Sequence, residues 1–269
     1  MITIKSPREI EYMAEAGKIL AETLVLVRSH TQPGVSTGEL DDLAEEFIRS
    51  HPGATPSFKG LYDFPKTLCT SISQEIVHGI PSHRRVLKDG EILSVDCGVC
   101  LRGLHADAAT TIPVGAISPE AQRLLRVTEA ALDAGIAAAL VGNFTGDIGH
   151  AIQNVAEAAG YSVVRELVGH GIGTSFHEEP QVPNFGKPKR GRRLTQGMTL
   201  AIEPMVNMGR PEVRTLEDRW TVVTADGSLS AHFEHTVLID EDGPRLLTAL
   251  PVDKPEFVSG PSSTVSGEH

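Results

Sequence analysis

Twelve residues, Gly169-His170-Gly171-Ile172-Gly173-Thr174-Ser175-Phe176-His177-Glu178-Glu179-Pro180, hold two histidines seven positions apart, the first set between glycines. An imidazole of this kind can bind a metal through a ring nitrogen or exchange a proton near neutral pH. Three glycines in five positions let the backbone approach whatever His170 touches, and they work against a regular helix. Two common motifs fail on this stretch. A dinucleotide fingerprint needs glycine where Thr174 stands, and a zincin helix needs histidine where Gln181 follows Pro180. On these twelve residues alone, a pair of structural histidines in a glycine-rich loop competes evenly with a reactive site.

Four acids shift that balance: Asp96, Asp107, Glu203 and Glu234. Any one of them reads as a solvated surface carboxylate. Gathered with His170 and without a cation, they would repel and raise one another's pKa values. With one or two divalent cations they become ligands, since carboxylate plus imidazole suits Mn, Fe, Co or Zn. Two such ions about 3.5–4 Å apart lower the pKa of a bridging water and hold a carbonyl, which is hydrolase chemistry. His78, in Val77-His78-Gly79-Ile80-Pro81, repeats the pairing of histidine with glycine.

The elements that must position these residues are legible. Ser6 caps a helix with Pro7 in its first position and Glu9 closing a capping box, and Ile10, Met13, Gly17, Leu20 and Leu24 follow at helical spacing. A second helix follows Ser36 or Thr37 and stops at His51-Pro52-Gly53. Residues 57–78 read as loop and short strand. Ile92 to Cys100 and Leu104 to Val114 form a hairpin around Leu101-Arg102-Gly103. A turn centred between Leu101 and Arg102 sets Asp96 directly opposite Asp107, and other turns shift the pair by a residue or two. Like charges opposed on a sheet are destabilising, so the two carboxylates suggest a shared cation. A long alanine-rich helix then starts at Ser118-Pro119, and another is capped by Thr145. Met198 to Pro204 reads as a strand carrying Glu203. Trp220 to Thr224 and Leu229 to Ile239 read as a hairpin carrying His232, Glu234 and His235, with His232 and Glu234 on one face.

The chain repeats itself. Pro33-Gly34-Val35-Ser36-Thr37-Gly38-Glu39-Leu40 and Val141-Gly142-Asn143-Phe144-Thr145-Gly146-Asp147-Ile148 match at an offset of 108, and His78-Gly79-Ile80 is echoed by His170-Gly171-Ile172. Two helices followed by strands, twice over, imply two halves related by an approximate two-fold.

Composition narrows the class. The 269 residues carry a net charge of −11, which argues against a nucleic-acid surface. No hydrophobic run approaches the roughly 20 residues of a membrane span, and Met1-Ile2-Thr3-Ile4-Lys5 lacks the apolar core of a signal peptide. Cys69, Cys97 and Cys100 are too few for a disulfide framework, and Cys97 and Cys100 point to opposite faces of a strand. A cytoplasmic location is the expectation. From about Ala249 the chain turns to proline, serine and glycine and reads as a flexible tail, residues 249–269.

Taken together, Val77-His78-Gly79-Ile80-Pro81, Val95-Asp96, His105-Ala106-Asp107, Gly169-His170-Gly171-Ile172-Gly173, Phe176-His177-Glu178-Glu179-Pro180, Ala201-Ile202-Glu203-Pro204 and Phe233-Glu234-His235-Thr236 resemble the type I methionine aminopeptidases in order and spacing over roughly residues 3 to 248. The resemblance is to the short bacterial form. It implies an α+β "pita-bread" fold, a pseudo-two-fold curved antiparallel sheet backed by two pairs of helices. Residues 1–248 would form one catalytic domain with halves of about 1–115 and 116–248. It implies removal of the initiator methionine from nascent chains when the second residue is small, by a water activated on two divalent metal ions, Fe(II), Mn(II), Co(II) or Zn(II). Asp107, His170, Glu203 and Glu234 would hold one ion, and Asp96, Asp107 and Glu234 the other. Glu203 would relay the proton, while His78 and His177 contact substrate and its tetrahedral intermediate. The methionine pocket maps onto Phe58, Leu61, Phe64, Cys69, Phe176 and Trp220, with Phe58 and Leu61 where well-known bacterial members have cysteine and tyrosine. The partners implied are the N-termini of nascent polypeptides and a transient ribosome contact, with the enzyme a monomer that binds neither membrane nor nucleic acid. Proline-specific peptidases and creatinase-like amidinohydrolases of the same fold are the nearest rivals, and a binding protein of this fold that has lost catalysis and acts as a scaffold is the rival from another class.

Overall fold

The computed structural model describes residues 2–249. Its first half runs through α1 (Pro7–His30), α2 (Thr37–Ser50), β1 (Ala54–Pro56), β2 (Leu68–Ile72), β3 (Glu75–Val77), β4 (Ile92–Leu101) and β5 (Leu104–Pro113). The second half opens with α3 (Pro119–Ala137) and α4 (Thr145–Ala158), then β6 (Ser162–Val163), β7 (Gly169–Gly171), β8 (Glu178–Val182) and β9 (Thr199–Ile202). It closes with β10 (Met205–Asn207), β11 (Val213–Thr215), β12 (Val222–Thr224), β13 (Ser230–His232), β14 (His235–Leu238) and β15 (Arg245–Leu246). The tail expected from sequence lies, from residue 250 on, outside the described residues.

The helices begin where local chemistry satisfies their free N–H groups. At α1 the Ser6 hydroxyl accepts from the Glu9 amide while the Ser6 amide donates to the Glu9 carboxylate at 2.8 Å, and Ser36 with Glu39 repeats this at α2. At α4 the expectation that Thr145 caps is corrected. Phe144 holds the cap position, its amide donating to Asp147 Oδ2 at 2.7 Å, and the Thr145 hydroxyl is turned to accept from the Arg192 amide.

The two-fold is visible in matched backbone hydrogen bonds. Gly34 and Gly142 donate to Leu87 and Leu194, Leu87 and Leu194 donate back to Val35 and Asn143, and Thr37 and Thr145 donate to Arg85 and Arg192. Each loop is thus strapped to the start of its helix pair. Each half also has a central strand, β4 between β2 and β5, and β9 between β7 and β14. By that correspondence β7 matches β2, whereas His78 follows β3, so the echo of His78-Gly79-Ile80 in His170-Gly171-Ile172 is not part of the two-fold.

All strand pairs among the described residues are antiparallel, in four hydrogen-bonded groups. The hairpin expected from Trp220 to Ile239 does not form. β12 pairs with β11 and β3, and the chain breaks at Phe233-Glu234 so that β13 joins β10 and β14 joins β9. The break is where the halves are stitched: the Glu234 amide donates to Ala109 O at 2.9 Å, and Thr236 Oγ1 exchanges hydrogen bonds with the Asp107 backbone. Leu20, Leu40, Ile48, Leu93 and Val95 fill the core beneath α1 and α2, and Leu124, Ile148, Ile152, Leu200 and Ile202 that beneath α3 and α4.

Packing here overrides helix propensity at one position. Alanine for glycine inside a helix ordinarily stabilises by about 1 kcal/mol. At Gly149 in α4, however, a Cβ would stand 2.4 Å from Pro183 O and 2.5 Å from Phe185 O. Gly149→Ala is therefore expected to destabilise by about 1–3 kcal/mol, the cost of overpacking, read as a lower urea midpoint; an unchanged or higher midpoint would refute the close approach.

Candidate metal centre and active site

The site lies on the seam between the halves. Asp96 on β4 and Asp107 on β5 are not directly opposite. The turn is the two residues Arg102 (φ 53°) and Gly103 (φ 79°), both left-handed as a primed hairpin turn requires. Asp96 therefore faces Ala109 and Asp107 faces Gly98, which makes the two acids diagonal neighbours on one face. Gly98, between them on that face, keeps room open: a Cβ there would lie 2.9 Å from the Phe176 ring and 3.0 Å from that of Phe58. From the second half come His170 on β7, Glu203 just past β9 and Glu234 just before β14. Asn184 Nδ2 holds the Glu203 carbonyl at 3.0 Å.

His170 is oriented by its own chain. Its Nδ1 donates to Gly171 O at 2.9 Å, which leaves Nε2 as the lone-pair nitrogen facing Asp107 Oδ2 and Glu203 Oε1, both at 3.8 Å. Those gaps are too long for hydrogen bonds but suit donors arranged about one ion with bonds of about 2.0–2.2 Å. Asp107, His170 and Glu234 offer atoms that all lie within 4.8 Å of one another, as do Glu203, His232 and Glu234. The donor set fits a divalent cation on a further count. Asp96 Oδ1, Asp107 Oδ1 and Glu234 Oε1 are buried with no hydrogen-bond partner, which a cation would remedy and an ordinary core would not tolerate.

Electrostatics agree. Burial, partly offset by His232, pushes Asp96 up to about 7. Burial and then the neighbouring carboxylates drive Asp107 and Glu234 well above the usual carboxylate range. Burial lowers His78, and burial followed by the adjacent His170 lowers His177 to about 4, so both rings are neutral at pH 7. Cys69, paired with Asp96 across β2 and β4, has its thiol raised by burial and by the acids, which favours the neutral thiol over the nucleophilic thiolate.

One cavity of about 140 Å³ brings these groups to an apolar pocket, a volume comparable to one that holds a benzene-sized group. His78, His177 and the five acidic and imidazole donors line it together with Phe58, Leu61, Phe64, Cys69, Phe176 and Trp220. Phe58 meets Phe176 edge-on at 5.3 Å, and Phe64 meets Trp220 at 5.0 Å. His78 sits at φ 60°, a left-handed conformation costly for a residue with a Cβ and typical of functional positions. Sequence reasoning missed two residues. Tyr62, in the aromatic cluster before Pro65, stacks on His177 and brings its hydroxyl 3.3 Å from His177 Nδ1. His232 places Nε2 3.5 Å from Glu203 Oε2, and its shared face with Glu234 was the available signal.

Fold and site are those of a metal-dependent peptidase, and the comparisons agree. The model of metallopeptidase family M24 matches residues 11–241. A methionine aminopeptidase of Clostridium perfringens is 57% identical over 250 residues, 93% of this chain and 100% of its own. The crystal structure of methionine aminopeptidase from Thermotoga maritima superposes with a TM-score of 0.90 at 45% identity, covering 92% of this chain and 99% of that one. Prolidase from Pyrococcus furiosus, 21% identical with a TM-score of 0.74, shares the fold, and this chain spans 65% of its length. The chain belongs to the methionine aminopeptidases of metallopeptidase family M24, and its fold is the pita-bread fold.

The raised acids predict how stability responds to pH. An acid whose pKa is higher folded than unfolded contributes stability in full below its unfolded pKa and loses it as pH rises through the folded value. The lowered His78, His177 and His235 act oppositely, losing stability as pH falls below about 6.5. Between about pH 6.5 and 8 the histidines can only add stability as pH rises, so a fall over that window reports the acids. Metal-stripped protein is expected to melt several degrees lower at pH 8 than at 6.5, while metal-loaded protein stays level; parallel profiles in a thermal-shift series would contradict the clustering of the carboxylates.

Proposed function

We infer that this chain removes the N-terminal methionine from peptides and proteins in a metal-dependent hydrolysis, when the second residue is small. The observation that supports it most is the joining of orphaned, buried carboxylates and an aromatic wall in one small cavity. Asp107, His170, Glu203 and Glu234 would hold one divalent ion and Asp96, Asp107 and Glu234 a second. Bound there, the ions would supply Lewis-acid polarisation of the scissile carbonyl and a lowered pKa for water. The protein does the rest. Phe58, Phe64, Phe176 and Trp220 receive the methionine thioether, which packs well on ring edges, with Leu61 and Cys69 completing the wall. Glu203, partly open to the cavity, accepts a proton and returns it to the leaving amine. His177, neutral, can donate to the oxyanion of the tetrahedral intermediate, and His78 contacts substrate beside Trp220.

We take residues 1–248 as one catalytic domain of two halves and the chain as a monomer acting in the cytoplasm. Among the described residues no helix is long and apolar enough to cross a membrane. A transient ribosome contact is supported by Lys187, Lys189, Arg190, Arg192 and Arg193, all exposed on the strap before β9 of an otherwise acidic chain.

Cleavage of a Met-Ala-Ser peptide by metal-stripped protein, reloaded anaerobically with Fe(II), Mn(II), Co(II) or Zn(II), tests the reading: no release of methionine with any ion would overturn it. Two variants separate ligand from substrate contact. Glu234→Ala should lose turnover and metal together, because it removes a charge shared by both ions. His177→Ala should keep its metal while kcat falls about 10²–10³-fold, the cost of one oxyanion donor; loss of metal from His177→Ala would make it a ligand instead. The chain's own start probes specificity. Ile2 is β-branched with little rotamer freedom, so intact mass should show Met1 retained in the wild type and removed in Ile2→Ala.

A further inference from the structure

His232 stands at the end of β13, where the chain leaves one sheet for another. Its backbone is fixed on both sides, the amide donating to Thr111 Oγ1 and the carbonyl accepting from the same hydroxyl, each at 2.9 Å. The side chain is only 1% exposed, and Nε2 has no hydrogen-bond partner. An imidazole nitrogen left so is costly unless something else in the site uses it. Its nearest polar neighbour is Glu203 Oε2 at 3.5 Å, with Glu234 Oε2 at 4.0 Å. The other oxygen of the same carboxylate, Oε1, is the one 3.8 Å from His170 Nε2. Glu203 is therefore bracketed, one oxygen toward each histidine.

We propose that His232 is a positioning residue that donates from Nε2 to Glu203 Oε2, so that Oε1 is the oxygen presented beside His170. The proposal rests on the reading of Glu203 as ligand and proton carrier. The 3.5 Å separation is long for a formed hydrogen bond, the usual state of a catalytic contact before substrate is in place. A role as metal ligand fits less well. A ligating histidine almost always has its second ring nitrogen held by a partner, as His170 does through Gly171 O; among the described residues His232 shows no such bond. Without His232, the Glu203 carboxylate is free to rotate and to offer both oxygens to a cation, leaving none aimed to take a proton.

The test uses His232→Leu, which fills the space without a donor, and His232→Gln, whose amide N–H can reach the same oxygen. Each is stripped, reloaded with Mn(II), assayed by elemental analysis for bound metal, melted, and timed on Met-Ala-Ser beside the wild type. The expected result is a fall in kcat of about 10–100-fold in His232→Leu, with KM and metal content within about twofold of wild type, and recovery of most of that loss in His232→Gln. Loss of metal from His232→Leu in proportion to kcat would make His232 a ligand and overturn the proposal. So would an unchanged kcat, or a His232→Gln as slow as His232→Leu at equal melting temperature. A wild type that leaves the peptide intact overturns the peptidase reading itself, and the proposal with it.

Discussion

The structure turns on the mutual repulsion of carboxylates that it buries together. Burial raises Asp96, Asp107 and Glu234 alike; neighbouring carboxylates raise Asp107 and Glu234 further, and Glu203 raises Asp96 against an opposing His232. No lysine or arginine forms an ion pair with any of them among the described residues. Their raised pKa values are the cost of that arrangement without a cation, and divalent charge is what removes it. The site is thus a place where folding free energy has been traded for affinity toward cations.

That constraint explains the seam. Neither half has enough acids to hold an ion: the first brings Asp96 and Asp107, the second His170, Glu203 and Glu234. The hydrogen bonds that cross between halves run through the same residues or their immediate neighbours, from the Glu234 amide to Ala109 and between Thr236 and the Asp107 backbone. Backbone contacts between the halves therefore fix where the carboxylates meet, and the helix pairs behind the sheets, strapped by matched loops, keep each central strand in place. The aromatic pocket borrows the same frame. Gly98 lies between the two acids on one face, and its missing side chain is what lets Phe58 and Phe176 close over the strand.

Much of this was legible in the sequence because it is written in local chemistry. The capping box at Ser6, the hairpin carrying Asp96 and Asp107, and the offset of 108 between the helix pairs all follow from residue type and spacing. What failed was set by pairing at a distance. The Asp96–Asp107 register depends on which two residues make the turn, and only the left-handed pair Arg102-Gly103 decides it. The run from Leu229 to Ile239 alternates as one strand would, yet β13 and β14 belong to different sheets because Glu234 is pulled across to Ala109. His232 escaped for the same reason: its alternation with Glu234 was readable, but its approach to Glu203 needs β13 paired with β10, where His232 faces Met205.

The central claim, that the acids buried together are a cation site, has a direct measurement. Calorimetric titration of metal-stripped protein with Mn(II) at pH 7, in two buffers of different ionisation enthalpy, counts the protons released on binding. With Asp96 raised to about 7 and Asp107 and Glu234 raised in the same direction, binding should release protons. Binding without proton release, or no binding at all, would contradict the account.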